Sequence, residues 1–138
     1  MLPSTHHGTW KGENRLWLED PNAPERSDGS IEVAEASLAY TWSFRGATQR
    51  GEIALSGPKG SMRADWKDSF HAADGMVLHG LFDDGVLRLY GTYSGGEGPA
   101  WGWRIEIDLR DPEHCSLRMF NLEPAGALVP AVDLRGGR

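Results

Sequence analysis

The 138-residue chain has a single cysteine, Cys115. An internal disulfide needs two, so no covalent staple holds the fold, and a reducing, cytoplasmic setting is the expectation. Basic residues are in the minority, with 14 Lys plus Arg against 20 Asp plus Glu and a net charge of -6. A chain with that balance lacks the positive field that gathers nucleic acid or anionic lipid, so neither is expected as a partner. Long hydrophobic runs are missing too: glycines and charges interrupt every one short of the ~20 residues of a spanning helix. The first twenty residues lack the charged start and apolar core of a secretion signal, which predicts a soluble protein. No His-x-His, Cys-x-x-Cys or His-Glu-x-x-His spacing occurs, and no phosphate-cradling glycine loop leads into a helix. No metal and no cofactor are expected.

Glycine and tryptophan are abundant. Eighteen of the 138 residues are glycine, about twice the ~7% average, and they lie between apolar segments as turn punctuation. Six are tryptophan, and each large ring must find an apolar surface or a ligand to cover it. The length predicts one domain over residues 1–138, with residues 1–7 frayed.

The apolar residues recur with period two. Trp10, Gly12, Asn14, Leu16 and Leu18 share one face of a first strand. The polar, proline-containing stretch 20–30 reads as a long surface loop. Ala34, Ala36, Leu38, Tyr40, Trp42 and Phe44 alternate with mostly polar neighbours over residues 31–45. Residues 49–56 and 62–67 follow as strands, with room for one helical turn in 68–75. The runs 76–82 and 86–93 flank Asp83-Asp84-Gly85, a strong hairpin signal. With Asp84 and Gly85 as the loop, Met76, Leu78, Phe82, Leu87, Leu89 and Tyr93 share one face, and His79, Leu81, Arg88 and Tyr90 the other. Residues 101–109 and 115–122 alternate likewise. Pro130, in the last run 128–134, forbids a fully paired central strand and suggests an edge or a bulge. The sum is all-β, with eight to nine strands and no long helix, best closed as an antiparallel up-and-down β-barrel.

Two stretches carry a family resemblance: GTWKGENRLW at 8–17, and GPAWGWRIEIDL with MFNLEPAGALVPAVDLR at 98–135. The chain resembles uncharacterised bacterial lipocalin-like proteins of the calycin superfamily. The resemblance implies that Gly8 and Trp10 form the Gly-x-Trp of the first strand, with Arg135 of the last strand over the indole at one barrel end. It implies no established activity. The chain departs from secreted lipocalins in having no paired cysteines, and from intracellular fatty-acid binders in having no helix-turn-helix after the first strand.

A barrel of this size either fills with side chains or holds one small ligand. Tyr40, Trp42, Met62, Trp66, Tyr90 and Trp103 would line such a cavity, joined by His79 or Arg88 as a placed polar group. The expected partner is then a small hydrophobic or amphipathic molecule, with the 20–30 loop as a lid. The alternatives are an enzyme moving protons through His79 and Tyr90 or Arg88, which needs at least two of them inward, and a filled barrel acting as a homo-oligomeric interaction module, for instance a homodimer, through outward aromatics such as Trp17. Asp65, Asp68, Ser69 and His71 have the residue types of a hydrolase triad, but lying so close in sequence they read as local capping. Cys115 reads as a small buried hydrophobe.

Overall fold

The computed structural model describes residues 1–94 and 96–138. A 3₁₀ turn, Ser4–His6, precedes ten strands: β1 (Gly8–Leu16), β2 (Glu25–Val33), β3 (Ser37–Phe44), β4 (Ala47–Ser56), β5 (Met62–Asp68), β6 (Ala72–Asp83), β7 (Val86–Tyr93), β8 (Trp101–Asp108), β9 (His114–Leu122) and β10 (Leu128–Gly137). Each strand pairs antiparallel with its sequence neighbour, and β10 pairs with β1, closing an up-and-down barrel. Among the described residues no helix is long and apolar enough to cross a membrane.

The strand count is ten rather than eight or nine. The stretch 20–30 is mostly strand: β2 begins at Glu25, and only residues 17–24 connect it to β1, so no long lid exists there. Period two is hard to see in its first half because Arg26, Ser27, Asp28 and Ser30 are polar on both faces. The run 31–45 likewise divides at 34–36, where the backbone turns from β2 into β3. The stretch 68–75 holds only a tight turn, Ser69–His71, before β6.

Local chemistry explains the tight connections. Asp83 pairs with Val86, leaving Asp84 and Gly85 as a two-residue loop with φ of 49° and 74°. Two positive φ values give the turn whose twist matches the flanking strands. Arg45 and Gly46 repeat this between β3 and β4, with φ of 49° and 84°. At Pro130 the β10 to β9 register slips by one residue before Val132, a bulge that accommodates an imide with no N–H to donate.

The strand faces are sorted by burial. Trp10, Ile31, Leu38, Tyr40, Trp42, Ile53, Met62, Trp66, Leu78, Leu87, Leu89, Trp103, Ile105, Leu117, Met119 and Leu134 form one buried core. Their side chains fill the barrel. Glycines make notches for the largest rings: a Cβ on Gly51 would stand 2.1 Å from Cζ of Tyr40.

The alternating directions place the 3₁₀ turn, the β2–β3, β4–β5, β6–β7 and β8–β9 connections and the carboxyl terminus at one barrel end. That end is closed. Residues 1–7 are tied down rather than frayed: Leu2 and His6 are buried, the Leu2 N–H donates to the Glu35 carbonyl, and His6 Nε2 donates to the Asp111 carbonyl. Trp10 is fully buried, stacks on His6 and donates its indole N–H to the His6 carbonyl at 2.9 Å. The guanidinium above its ring belongs to Arg138, at 4.1 Å from the centroid. Arg138 also donates to the carbonyls of His7 and Thr5. Arg135, expected in that place, faces outward and pairs with Asp133 instead. Strand parity decides this: within β10 the inward residues are Val132, Leu134 and Gly136, so Arg135 is on the wrong face.

Candidate functional site

The opposite end carries the β1–β2, β3–β4, β5–β6, β7–β8 and β9–β10 connections and leaves a mouth. A cleft of about 470 Å³ opens there, lined among others by Trp66, Phe70, His71, Met76, Tyr93, Trp103 and Asn121. Its base is aromatic. Trp66 and Trp103 stack with centroids 5.3 Å apart and planes 15° from parallel. His71 packs on Trp103 at 5.0 Å and faces Trp42 at 6.0 Å, while Phe70 meets Trp42 and Phe44 edge-on. These side chains converge because the β5–β6 connection is short: Phe70 and His71 follow the inward-facing Asp68 directly and fold back over the barrel end.

Asp68 organises that turn. Its carboxylate is enclosed, and Oδ1 accepts from the backbone N–H groups of Phe70 at 2.8 Å and His71 at 2.9 Å. The local capping expected of Asp68 is therefore present. Ser69 caps outside, accepting from the Arg50 N–H at 3.0 Å and donating to Gln49 Oε1 at 2.7 Å. Asp65 lies apart, paired with Arg63 on the outer surface.

A buried polar chain runs behind the turn. The indole of Trp66 donates to the Tyr40 hydroxyl at 2.9 Å, and that hydroxyl donates to Asp68 Oδ2. Burial on its own would push the Asp68 carboxyl up, but His71, the Tyr40 hydroxyl and the His71 backbone N–H together hold it below the usual carboxylate range. Burial, then the Asp68 charge and its hydrogen bond, hold the Tyr40 phenol well above its ordinary value despite the Trp66 N–H. Asp68 is thus the anion and Tyr40 a neutral donor.

Several buried polar atoms find no partner. They are Nε1 of Trp42, Nε1 of Trp103, Nδ1 of His71, and both amide atoms of Asn14. Each such group costs about 1–3 kcal/mol when left unsatisfied. Three of the five belong to the rings around the mouth. His71 Nδ1 lies 3.6 Å from Asp68 Oδ1, an ion-pair separation rather than a hydrogen bond. At the rim, the Tyr93 hydroxyl donates to Asn121 Oδ1.

The expected site residues divide into two groups. Tyr40, Trp42, Met62, Trp66 and Trp103 are all buried inside the barrel, but only Trp66 and Trp103 line the cleft. His79, Arg88 and Tyr90 come together on the outer wall, with Leu81 and Arg104. The hairpin register is as expected, with His79 opposite Tyr90, and the inward face is the one carrying Leu78, Leu87 and Leu89. The proton-transfer reading required at least two of His79, Arg88 and Tyr90 to point inward, and none does. Phe70 and Asn121 are site residues that periodicity does not single out, whereas alternation puts Tyr93 on the face shared with Leu78, and His71 reads from sequence only as part of a local cap beside Asp68.

No protein-family model matches the chain, and no curated protein matches it. The geometry of the mouth therefore carries the functional argument. A larger concavity, about 570 Å³, lies on the outer wall at Asp108, Arg110, Asp111, His114 and Arg118. Its polar side chains are already partnered, Arg110 with Asp108, His114 with Asp111 and Arg118 with Glu106. Among the described residues no cluster of three or more His, Cys, Asp or Glu could hold a metal ion.

Proposed function

We propose that the chain is a cytoplasmic, lipocalin-like binding protein for a small hydrophobic or amphipathic molecule, seated in the mouth of the barrel rather than deep within it. The observation that carries the reading is the aromatic cleft itself, in which the Trp66 and Trp103 indoles stack beside His71, with Met76, Tyr93 and Asn121 along its walls. Stacked indoles offer a planar ligand a large apolar contact, and His71 with the Tyr93–Asn121 pair supplies the few placed polar groups that orient it. The proposed kinship with calycins is supported by the closed up-and-down barrel and by Trp10 lying under an arginine at the closed end, although that arginine is Arg138 and not Arg135. Native mass spectrometry of the protein from its own host tests the function. A retained small molecule that is lost on denaturation is expected; a bare chain after gentle ionisation counts against it.

The filled interior favours a second reading, an association module. Val77, Leu81 and Tyr90 are exposed apolar side chains on the outer wall of β6 and β7. The same spectrum decides it: a bare dimer would support association over binding.

A further inference from the structure

Resting on the mouth as a binding site, we infer that His71, backed by Asp68, is a proton acceptor for a planar ligand bearing an acidic hydroxyl, a phenol or an enol. The two ring nitrogens of His71 face different surroundings. Nδ1 is buried 3.6 Å from the Asp68 carboxylate, whereas Nε2, on a residue that lines the cleft, makes no hydrogen bond among the described residues and is not one of the enclosed unpartnered atoms. A carboxylate beside Nδ1 favours the tautomer protonated there, which leaves the Nε2 lone pair toward the mouth.

The charged groups around His71 fit this role. Asp68 precedes it on the same turn, and Tyr40 of β3, behind Asp68, remains a neutral donor. Tyr93 of β7 is held above its ordinary range by burial and is neutral too. Asp74 of β6 stands exposed at the cleft edge. Trp42, Trp103 and Phe70 supply the remaining contacts and carry no charge. Among the described residues neither lysine nor arginine lines the cleft. An anion arriving from solvent would meet Asp74 and a chain of net charge -6. A neutral hydroxyl compound enters without that repulsion and ionises inside.

The step balances without a co-reactant. The ligand O–H bond breaks as the Nε2–H bond forms, its electron pair stays on the ligand oxygen, and the imidazolium lies between that oxyanion and Asp68.

The test uses 4-nitrophenol, whose anion absorbs separately from the neutral form, and 4-nitroanisole, which has the same ring and no acidic proton. Both are dialysed to equilibrium against the whole chain one pH unit below the phenol's own pKa, where roughly a tenth of the free phenol is ionised. We expect both to bind, and the bound phenol to be at least about fivefold richer in phenolate than the free phenol. His71→Gln should bind both with the bound phenol mostly neutral. Asp68→Asn should lower the phenolate fraction while His71 remains. Binding of both probes with no phenolate enrichment, or enrichment that persists in His71→Gln, overturns the inference and leaves the binding reading standing. Retention of neither probe overturns both.

Discussion

Arg138 and Arg135 are three residues apart, and the structure gives them different work. Arg138 covers the buried Trp10 ring and holds two carbonyls of the amino-terminal turn, whereas Arg135, its guanidinium largely exposed, forms an ion pair with Asp133. Arg138→Ala should cost about 1 kcal/mol in urea unfolding, and Arg135→Ala no more than about 0.5 kcal/mol. Equal losses would contradict the assignment. Asp68 makes stability depend on acid. Its folded pKa is depressed, so its contribution is present above the unfolded value near ~3.9 and is lost as pH falls through the folded one. Urea midpoints should therefore drop below about pH 4, and Asp68→Asn should flatten that limb while lowering the plateau. Burial, helped by the nearby Asp108 charge, pushes the Cys115 thiol up to about 12. Iodoacetamide should leave it unmodified in the native protein and label it fully in denaturant.

At the scale of the element, the β3 to β4 pair couples packing to the site. Gly51 lies opposite Tyr40 in the register, and the Tyr40 ring occupies the space where a Gly51 side chain would stand. Gly51→Ala should cost about 1–3 kcal/mol as overpacking and displace the Tyr40 hydroxyl from Asp68. Loss of the Asp68-linked acid limb in that variant, read from the same urea series, would show that the ring and the turn move together. The β6–β7 hairpin was legible because Asp-Gly turn chemistry and the apolar alternation agree on one register. The first half of β2 was not, since its residues are polar on both faces and residues 25–28 take their strand pairing from β1 alone. Pro130 marked an edge or a bulge from sequence, because a missing N–H cannot join a paired ladder, and the closed barrel leaves the bulge.

For the molecule as a whole, closure depends on β1 meeting β10 from opposite ends of the sequence. Removing residues 128–138 would leave open edges on β1 and β9 and uncover Trp10, so the shortened chain should aggregate. A soluble, folded monomer in size-exclusion chromatography would contradict this. Alternation, turn residues and the absence of helical spacing determined an all-β antiparallel fold, favoured a closed barrel over a sandwich, and put Tyr40, Trp42, Met62, Trp66 and Trp103 on inward faces, whereas Tyr90, counted with them, faces out. Those properties reside in neighbouring residues, where the period of a strand is written. Which face of the β6–β7 hairpin points inward, which arginine reaches Trp10, and the gathering of Asp68, His71 and two indoles at the mouth were decided only by the tertiary structure. Each depends on strand parity and on closure across the barrel, contacts between residues that the sequence keeps far apart.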